Sequence, residues 1–271
     1  MSGAATFRAL HHGRAPGDPL VLPGPWDAAS ARVFAEAGFP ALATPSAGIA
    51  ASLGYADGRT PAPEMFAAVA RIARAVDVPV SADVEDGYGL APKELVDRLL
   101  EAGAVGCNLE DSHGGVLEDP RRQADFLAEV RAAAGELLFV NARLDTFVHG
   151  GDDGGRVAGP AGGRAVGRAV GPAVGRAVEE AVGRAVEQAV ERAALYVAAG
   201  ADCVYPILAP VEALPALRAG IRGPMNVLAR PGEGPSPAAL GELGADRVTF
   251  GPGLQRRATA ALREIAEGIG R

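Results

Sequence analysis

Cysteine is nearly absent, with two residues, Cys107 and Cys203, in a chain of 271. Each stands in an apolar run that reads as a strand. Neither a disulfide framework nor a thiolate metal site is expected, and both read as small buried hydrophobes in reduced form. Histidine is scarce too: there are four, and none has the partner spacing of a zinc site. Basic runs are missing. The 26 Lys and Arg against 33 Asp and Glu leave a formal charge of −7, which disfavours nucleic acid as a partner. No stretch offers about 18 uninterrupted apolar residues, so neither a membrane span nor a membrane partner is expected. The opening residues, Met1-Ser2-Gly3-Ala4-Ala5-Thr6-Phe7-Arg8, lack the basic start and apolar run of an export signal, and a cytoplasmic address is the expectation. No Gly-x-Ser-x-Gly elbow and no Walker loop occurs.

What is present, with 48% hydrophobic residues, is a recurring unit of short apolar run, polar turn and amphipathic helix. The runs begin at Leu20, Ala41, Val78, Val105, Leu137, Cys203, Met225 and Arg247. Near-continuous apolarity suits strands covered on both faces, as parallel strands are. Helical patterns fill the gaps, from Asp27 to Ala37 through to a last helix from Leu254 to about Ile269. Four helix-to-strand junctions carry glycine, at Gly38, Gly103, Gly200 and Gly244, where a positive φ ends a helix. Strict alternation makes a parallel sheet, and eight units favour closure. The expected fold is α/β, a single-domain TIM-type (β/α)₈ barrel spanning residues 1–271.

One stretch breaks the rhythm. From Gly163 a four-residue repeat of the Gly-Arg-Ala-Val type overshoots the 3.6-residue turn, so its valine stripe drifts around a helix. Glycine in every early repeat and Pro172 disfavour a helix there. A low-complexity Gly/Ala/Val/Arg insertion is therefore expected at about 150–177, between the fifth strand and a sixth helix starting at Val178.

In such a barrel the C-terminal strand ends gather the chemistry. The third strand ends Ser81-Ala-Asp-Val-Glu-Asp-Gly-Tyr-Gly, and Asp83 and Glu85, two residues apart, would face the same way on a strand. The fourth ends Asn108-Leu-Glu-Asp-Ser and adds Glu110. Carboxylates crowded in one mouth repel unless a cation or proton intervenes. Hard oxygen donors suit Mg²⁺ or Mn²⁺. The alternative is that these acids cap the following helices. Arg143, ending the fifth strand, is placed to clamp a carboxylate or phosphonate in a fork; the alternative is a structural salt bridge to one of the acids. Asn226 on the seventh strand is a substrate donor or a buried amide. The small-residue loop Thr44–Asp57 offers backbone N–H groups for an anion, with Ser46 at its start and Asp57, a proton-transfer or metal-water candidate, at its end. As turn residues, Ser46 and Asp57 need no such role. His113 and His149 lie in loops within reach of the mouth. His11 and His12 read as surface residues on an N-terminal helix.

These strand ends, in this order, resemble the isocitrate lyase/phosphoenolpyruvate mutase superfamily across nearly the whole chain. The resemblance is carried by Pro23-Gly-Pro-Trp-Asp-Ala-Ala-Ser-Ala-Arg, the Thr44–Asp57 loop, Ala82-Asp-Val-Glu-Asp-Gly-Tyr-Gly, Asn108-Leu-Glu-Asp, Asn141-Ala-Arg, Ala199-Gly-Ala-Asp-Cys-Val-Tyr-Pro and Asn226-Val-Leu. It implies a Mg²⁺-dependent barrel acting on small 2-oxo or 2-hydroxy acids through a metal-stabilised enolate, and a lyase or hydrolase cleaving a C–C or P–C bond. Asp83 then resembles the direct metal ligand, with Glu85 and Glu110 on metal-bound waters. Arg143 and Asn226 resemble substrate contacts, and Ser46 with Ala47 the carboxylate-binding loop. It also implies a homo-oligomer, a dimer or tetramer. The chain departs from the lyases where their Lys-Lys/Arg-Cys-Gly-His loop supplies an acid: it reads Asp111-Ser-His-Gly-Gly-Val, leaving His113 as the candidate proton donor. The mutase gating motif is absent, and Ile207 stands where lyases place a glutamate. The competing expectation is a barrel that binds metal and metabolite without turnover.

Overall fold

The computed structural model describes residues 3–149 and 172–270. Eight parallel strands form the frame: β1 Leu20–Leu22, β2 Leu42–Ala43, β3 Val80–Asp83, β4 Gly106–Glu110, β5 Phe139–Leu144, β6 Cys203–Pro206, β7 Asn226–Leu228 and β8 Arg247–Thr249. One sheet runs β2-β3-β4-β5-β6 and the other β1-β8-β7. Two links close the circle. Val204 on β6 bridges Met225 just before β7, and the Ala43 N–H on β2 donates to Pro23 O beyond β1 at 3.1 Å. The result is a TIM-type barrel, and each of the eight apolar runs contains one of its strands.

The helices are α1 Gly3–Ala9, α2 Ala28–Glu36, α3 Ser46–Leu53, α4 Ala62–Ala73, α5 Pro92–Glu101, α6 Pro120–Ala134, α7 Thr146–His149, α8 Pro172–Ala198, α9 Leu214–Gly220, α10 Pro237–Glu242 and α11 Gly253–Ile269. Helix α2 begins with a reciprocal cap: Asp27 accepts from Ser30 N at 2.7 Å, and Asp27 N–H donates to Ser30 Oγ at 3.2 Å. At the α8–β6 junction Gly200 has φ 99°, and a Cβ there would lie 2.7 Å from Arg131 Cγ, so both backbone and packing require glycine. Most of the core lies between strands and helices, with Leu42, Val69, Leu99, Leu127, Val140 and Val204 in one apolar cluster. A second, smaller cluster fills the lower barrel, where α1 inserts Phe7 against Leu20, Leu22 and Phe139.

Four expectations need correction. The Thr44–Asp57 segment is not an open loop, since Ser46–Leu53 is helix α3; alanines and Ile49 there favour a helix and bury one face. The described part of helix α8 runs from Pro172, ahead of the expected start at Val178. Ala, Arg and Glu are strong helix formers and offset the glycines there. The rest of the expected insertion lies outside the described residues. His11 follows α1 and is no surface residue. It is 2% exposed, stacked on Phe139 with centroids 4.2 Å apart, and burial drives its pKa down to about 3. Finally, Ser112–His113 and Val116–Leu117 pair as a short antiparallel hairpin after β4, closed by Gly114 and Gly115. Two-residue strands leave too little periodicity to be read from sequence. Among the described residues no helix is long and apolar enough to cross a membrane.

Candidate active site

A cavity of about 470 Å³ opens at the C-terminal ends of the strands. Ser46, Ala47, Asp57, Asp83 and Arg143 all line it, together with Asn108, Tyr205 and Thr249. Asp83 closes β3, and the start of α3 holds it: Ser46 donates to its Oδ2 from Oγ at 2.8 Å and from the backbone N–H at 3.1 Å. The Ser46 N–H is therefore spent on Asp83 rather than offered to a free anion. The Asp83 Oδ1 has no protein partner among the described residues. Asp57 sits in an exposed turn on the same rim.

Glu85 corrects the strand argument. Strand β3 ends at Asp83, and Glu85 has φ 52°, a left-handed conformation uncommon for a residue with a side chain. It reaches the acid cluster from beyond the strand rather than by strand alternation. Its Oε1 is buried with no partner among the described residues. Burial first, then the neighbouring charges of Asp83, Asp57 and Asp86, push its pKa up to about 7.

Arg143 lies opposite Glu110 in the β4–β5 register, and Nη1 meets Glu110 Oε2 at 2.5 Å. Its other edge grips Asp145 in a fork, Nε to Oδ1 at 2.6 Å and Nη2 to Oδ2 at 3.1 Å. Burial opposes the cation, but Asp145, Glu110 and Asp83 outweigh it and hold the guanidinium charged. One cation shared among several acids leaves surplus negative charge. Burial, then Asp145, Asp83 and Glu85, outweigh Arg143 and push Glu110 up to about 8.

A buried relay fixes this clamp from behind. Asp145 accepts from Ser112 Oγ at 2.5 Å, and its backbone N–H donates to Asp111 Oδ1 at 2.7 Å. Asp111 in turn takes Arg192 Nη1 at 3.0 Å and the Tyr196 hydroxyl at 2.8 Å, both from α8. Asp111 and Asp145 are fully buried, so the relay sets where Arg143 points.

Four expected residues, Glu85, Glu110, Asn226 and His113, do not line the cavity; of the three predicted metal-site acids only Asp83 does. Asn226 is fully buried one layer beneath, accepting from Thr249 Oγ1 at 3.2 Å. His113, in the hairpin, has a 44% exposed side chain and places Nδ1 2.9 Å from Asp86 Oδ2. Sequence reasoning missed Tyr205, whose hydroxyl burial holds protonated up to about 12 and which lines the cavity. It missed Arg230, Arg256 and Arg257 as well, three exposed guanidiniums on the wall made by the segment after β7 and the start of α11. Tyr205 carried a signal, standing two residues after Cys203 on the same strand face.

A pH dependence follows. Glu85 and Glu110 ordinarily titrate near 4.5 but are raised to about 7 and about 8 when folded, so the native state binds more protons between these values. Their stabilising contribution is complete below about pH 4.5 and is lost as pH rises through 7 to 8. Melting followed by calorimetry in EDTA is expected to fall over that window, and Glu110→Gln to flatten the fall.

Comparisons with known proteins give the family and the fold. A 32% identical relative over 269 residues is Rv1998c, an uncharacterised protein of Mycobacterium tuberculosis (strain H37Rv), covering 97% of this chain and 90% of the relative. A solved structure from Burkholderia cenocepacia J2315, provisionally named a phosphonomutase, is 35% identical over 98% of both chains with TM-score 0.80. The fold alone is shared with a phosphonopyruvate hydrolase solved with oxalate and Mg²⁺, at 21% identity, TM-score 0.79, and 100% and 88% coverage of this chain and that one. The phosphoenolpyruvate phosphomutase profile matches residues 7–270, and the chain belongs to that family, within the isocitrate lyase/phosphoenolpyruvate mutase superfamily.

Proposed function

We propose that this barrel is a Mg²⁺-dependent carbon–carbon lyase or hydrolase, with Mn²⁺ as a substitute ion, that cleaves a C–C or P–C bond in a small 2-oxo or 2-hydroxy acid. One observation carries the reading: Asp83 and Arg143 face a single cavity at the productive end of the barrel, each held in place by its own partners.

The donor set fits Mg²⁺. Among the described residues no three His, Cys, Asp or Glu side chains converge as a ligand cage. Mg²⁺ does not want one; it keeps several waters and takes one or two carboxylates. Asp83 would hold it directly through Oδ1, while Glu85, with a buried unpartnered oxygen, and Glu110 would hold its waters. Such an ion, when bound, supplies Lewis-acid stabilisation of negative charge on a substrate oxygen. Arg143 clamps the substrate carboxylate or phosphonate, and Ser46 with Ala47 bounds its other side. Asn226 supports the floor through Thr249. Tyr205 holds a proton at its hydroxyl inside the cavity. Asp57 stands at the rim, and His113, paired with Asp86, is a proton reserve outside it. Family relatives named for phosphonate and carboxylate chemistry support this substrate class.

The assay is turnover of oxaloacetate, phosphonopyruvate and methylisocitrate with and without EDTA. Metal-dependent turnover of any one supports the reading. Stabilisation by these acids with no turnover points instead to a catalytically silent metabolite-binding barrel.

The arginine wall makes a further expectation. Among the described residues Arg230, Arg256 and Arg257 make no ion pair, and they face a cavity whose opposite side is acidic. A second anionic group on the substrate would meet them. Arg256→Ala combined with Arg257→Ala is expected to raise KM for oxaloacetate about tenfold with little change in kcat.

The proposal extends to a homo-oligomer, dimer or tetramer. Helix α11 buries no residue, and Leu262, Ile265 and Ile269 are 65%, 58% and 79% exposed at helical spacing. Leu262→Glu with Ile265→Glu is expected to shift the mass seen by light scattering to that of a monomer.

A further inference from the structure

The interior of a TIM barrel is ordinarily filled by branched aliphatic side chains. Here the layer beneath the cavity floor is polar: Ser81, Asn108, Asn141, Asn226 and Arg247 are all buried there. Arg247 is the outlier. It opens β8, is 0% exposed, and reaches across the barrel so that Nη2 meets Asn108 Oδ1 on β4 at 3.3 Å. Its Nε and Nη1 are buried with no partner among the described residues. No carboxylate pairs with it there, in contrast to Arg143 and Arg192.

A buried guanidinium without a counter-charge is among the costliest arrangements in a protein interior. The one carboxylate whose charge reaches it is Asp83, and among the described residues the two form no ion pair. Phe7 lies under it, with the guanidinium carbon 5.8 Å from the ring centroid, which offsets only part of the cost. Burial drives the His11 pKa to about 3, keeping it neutral, and pushes the thiols of Cys107 and Cys203 and the Tyr205 hydroxyl up to about 12. Asn226, the register partner of Arg247 on β7, presents an unpartnered Nδ2 in the same layer. The unanswered groups on these two neighbouring strands are all donors.

We propose that Arg247, with Asn226, forms an internal site for a small monovalent anion of halide size, buried beneath the substrate cavity. The anion neutralises Arg247 and rigidifies the floor at Asn108, which both lines the cavity and accepts from Arg247. The site is separate from the one that holds the substrate and does not depend on which acid is processed.

The test uses bromide and chloride on the whole protein. Crystals grown in sodium bromide are expected to show an anomalous peak within hydrogen-bonding distance of Arg247. Replacing gluconate by chloride at constant ionic strength is expected to raise the melting temperature saturably, by about 4 °C. Arg247→Met is expected to abolish the chloride response. An ordered water in place of bromide, or a wild-type melting temperature identical in gluconate and chloride, overturns the proposal. Because both wild-type measurements stand alone, a variant that fails to fold leaves the proposal decidable.

Discussion

Arg143→Ala is expected to lower kcat/KM by about 10³-fold, the scale of losing a pre-aimed donor to developing negative charge. The variant also strips the partner from two carboxylates at once, Asp145 in the fork and Glu110 across the register. Leaving buried charges unpaired costs about 3–5 kcal/mol, so part of any activity loss in the alanine variant is loss of fold. Arg143→Lys separates the two effects. Lysine keeps the charge but has no planar fork to hold Asp145 and a substrate carboxylate together. It is expected to remain folded by circular dichroism while kcat/KM falls about 10²-fold. Steady-state kinetics on the acid that turns over, read beside thermal melts, checks both variants. Full activity in the lysine variant would make Arg143 a structural ion pair and nothing more.

Asp83→Asn is expected to weaken Mg²⁺ binding by about 10³-fold and to remove turnover at millimolar metal. Asparagine preserves size and leaves an oxygen for the Ser46 hydroxyl, so the start of α3 keeps its anchor. The charge alone is removed. Calorimetric titration with Mg²⁺ reads the affinity directly, and unchanged affinity would move the metal role to another acid.

The barrel was legible because each buried strand announces itself as a short apolar run, and because glycine marks where helices stop. Asp83 and Arg143 were legible as cavity-lining residues for the related reason that a polar residue ending such a run has no packing role. Glu85 is picked out by its place two residues after Asp83, but strand alternation is the wrong rule for it, since the strand stops before it and φ turns positive. The relay behind Arg143 was not legible. Asp111 meets Arg192 and Tyr196 across sequence separations of 81 and 85 residues, and no local pattern encodes such a meeting. The acidic pair Asp111 and Asp145 looks like helix-capping chemistry until burial is known. Arg247 was hidden in a similar way: one charged residue opening an apolar strand reads as exposed, yet alternation turns it inward beneath Thr249. His11 was misjudged because a helix-plugged barrel floor buries residues that a terminal segment ordinarily exposes.

The most direct measurement is calorimetric binding of oxalate, a small dicarboxylate, in the presence of Mg²⁺ and again in EDTA. The account predicts binding with Mg²⁺, none in EDTA, and loss of binding in both Asp83→Asn and Arg143→Lys. Oxalate binding of equal strength in EDTA, or undiminished in Asp83→Asn, would contradict it.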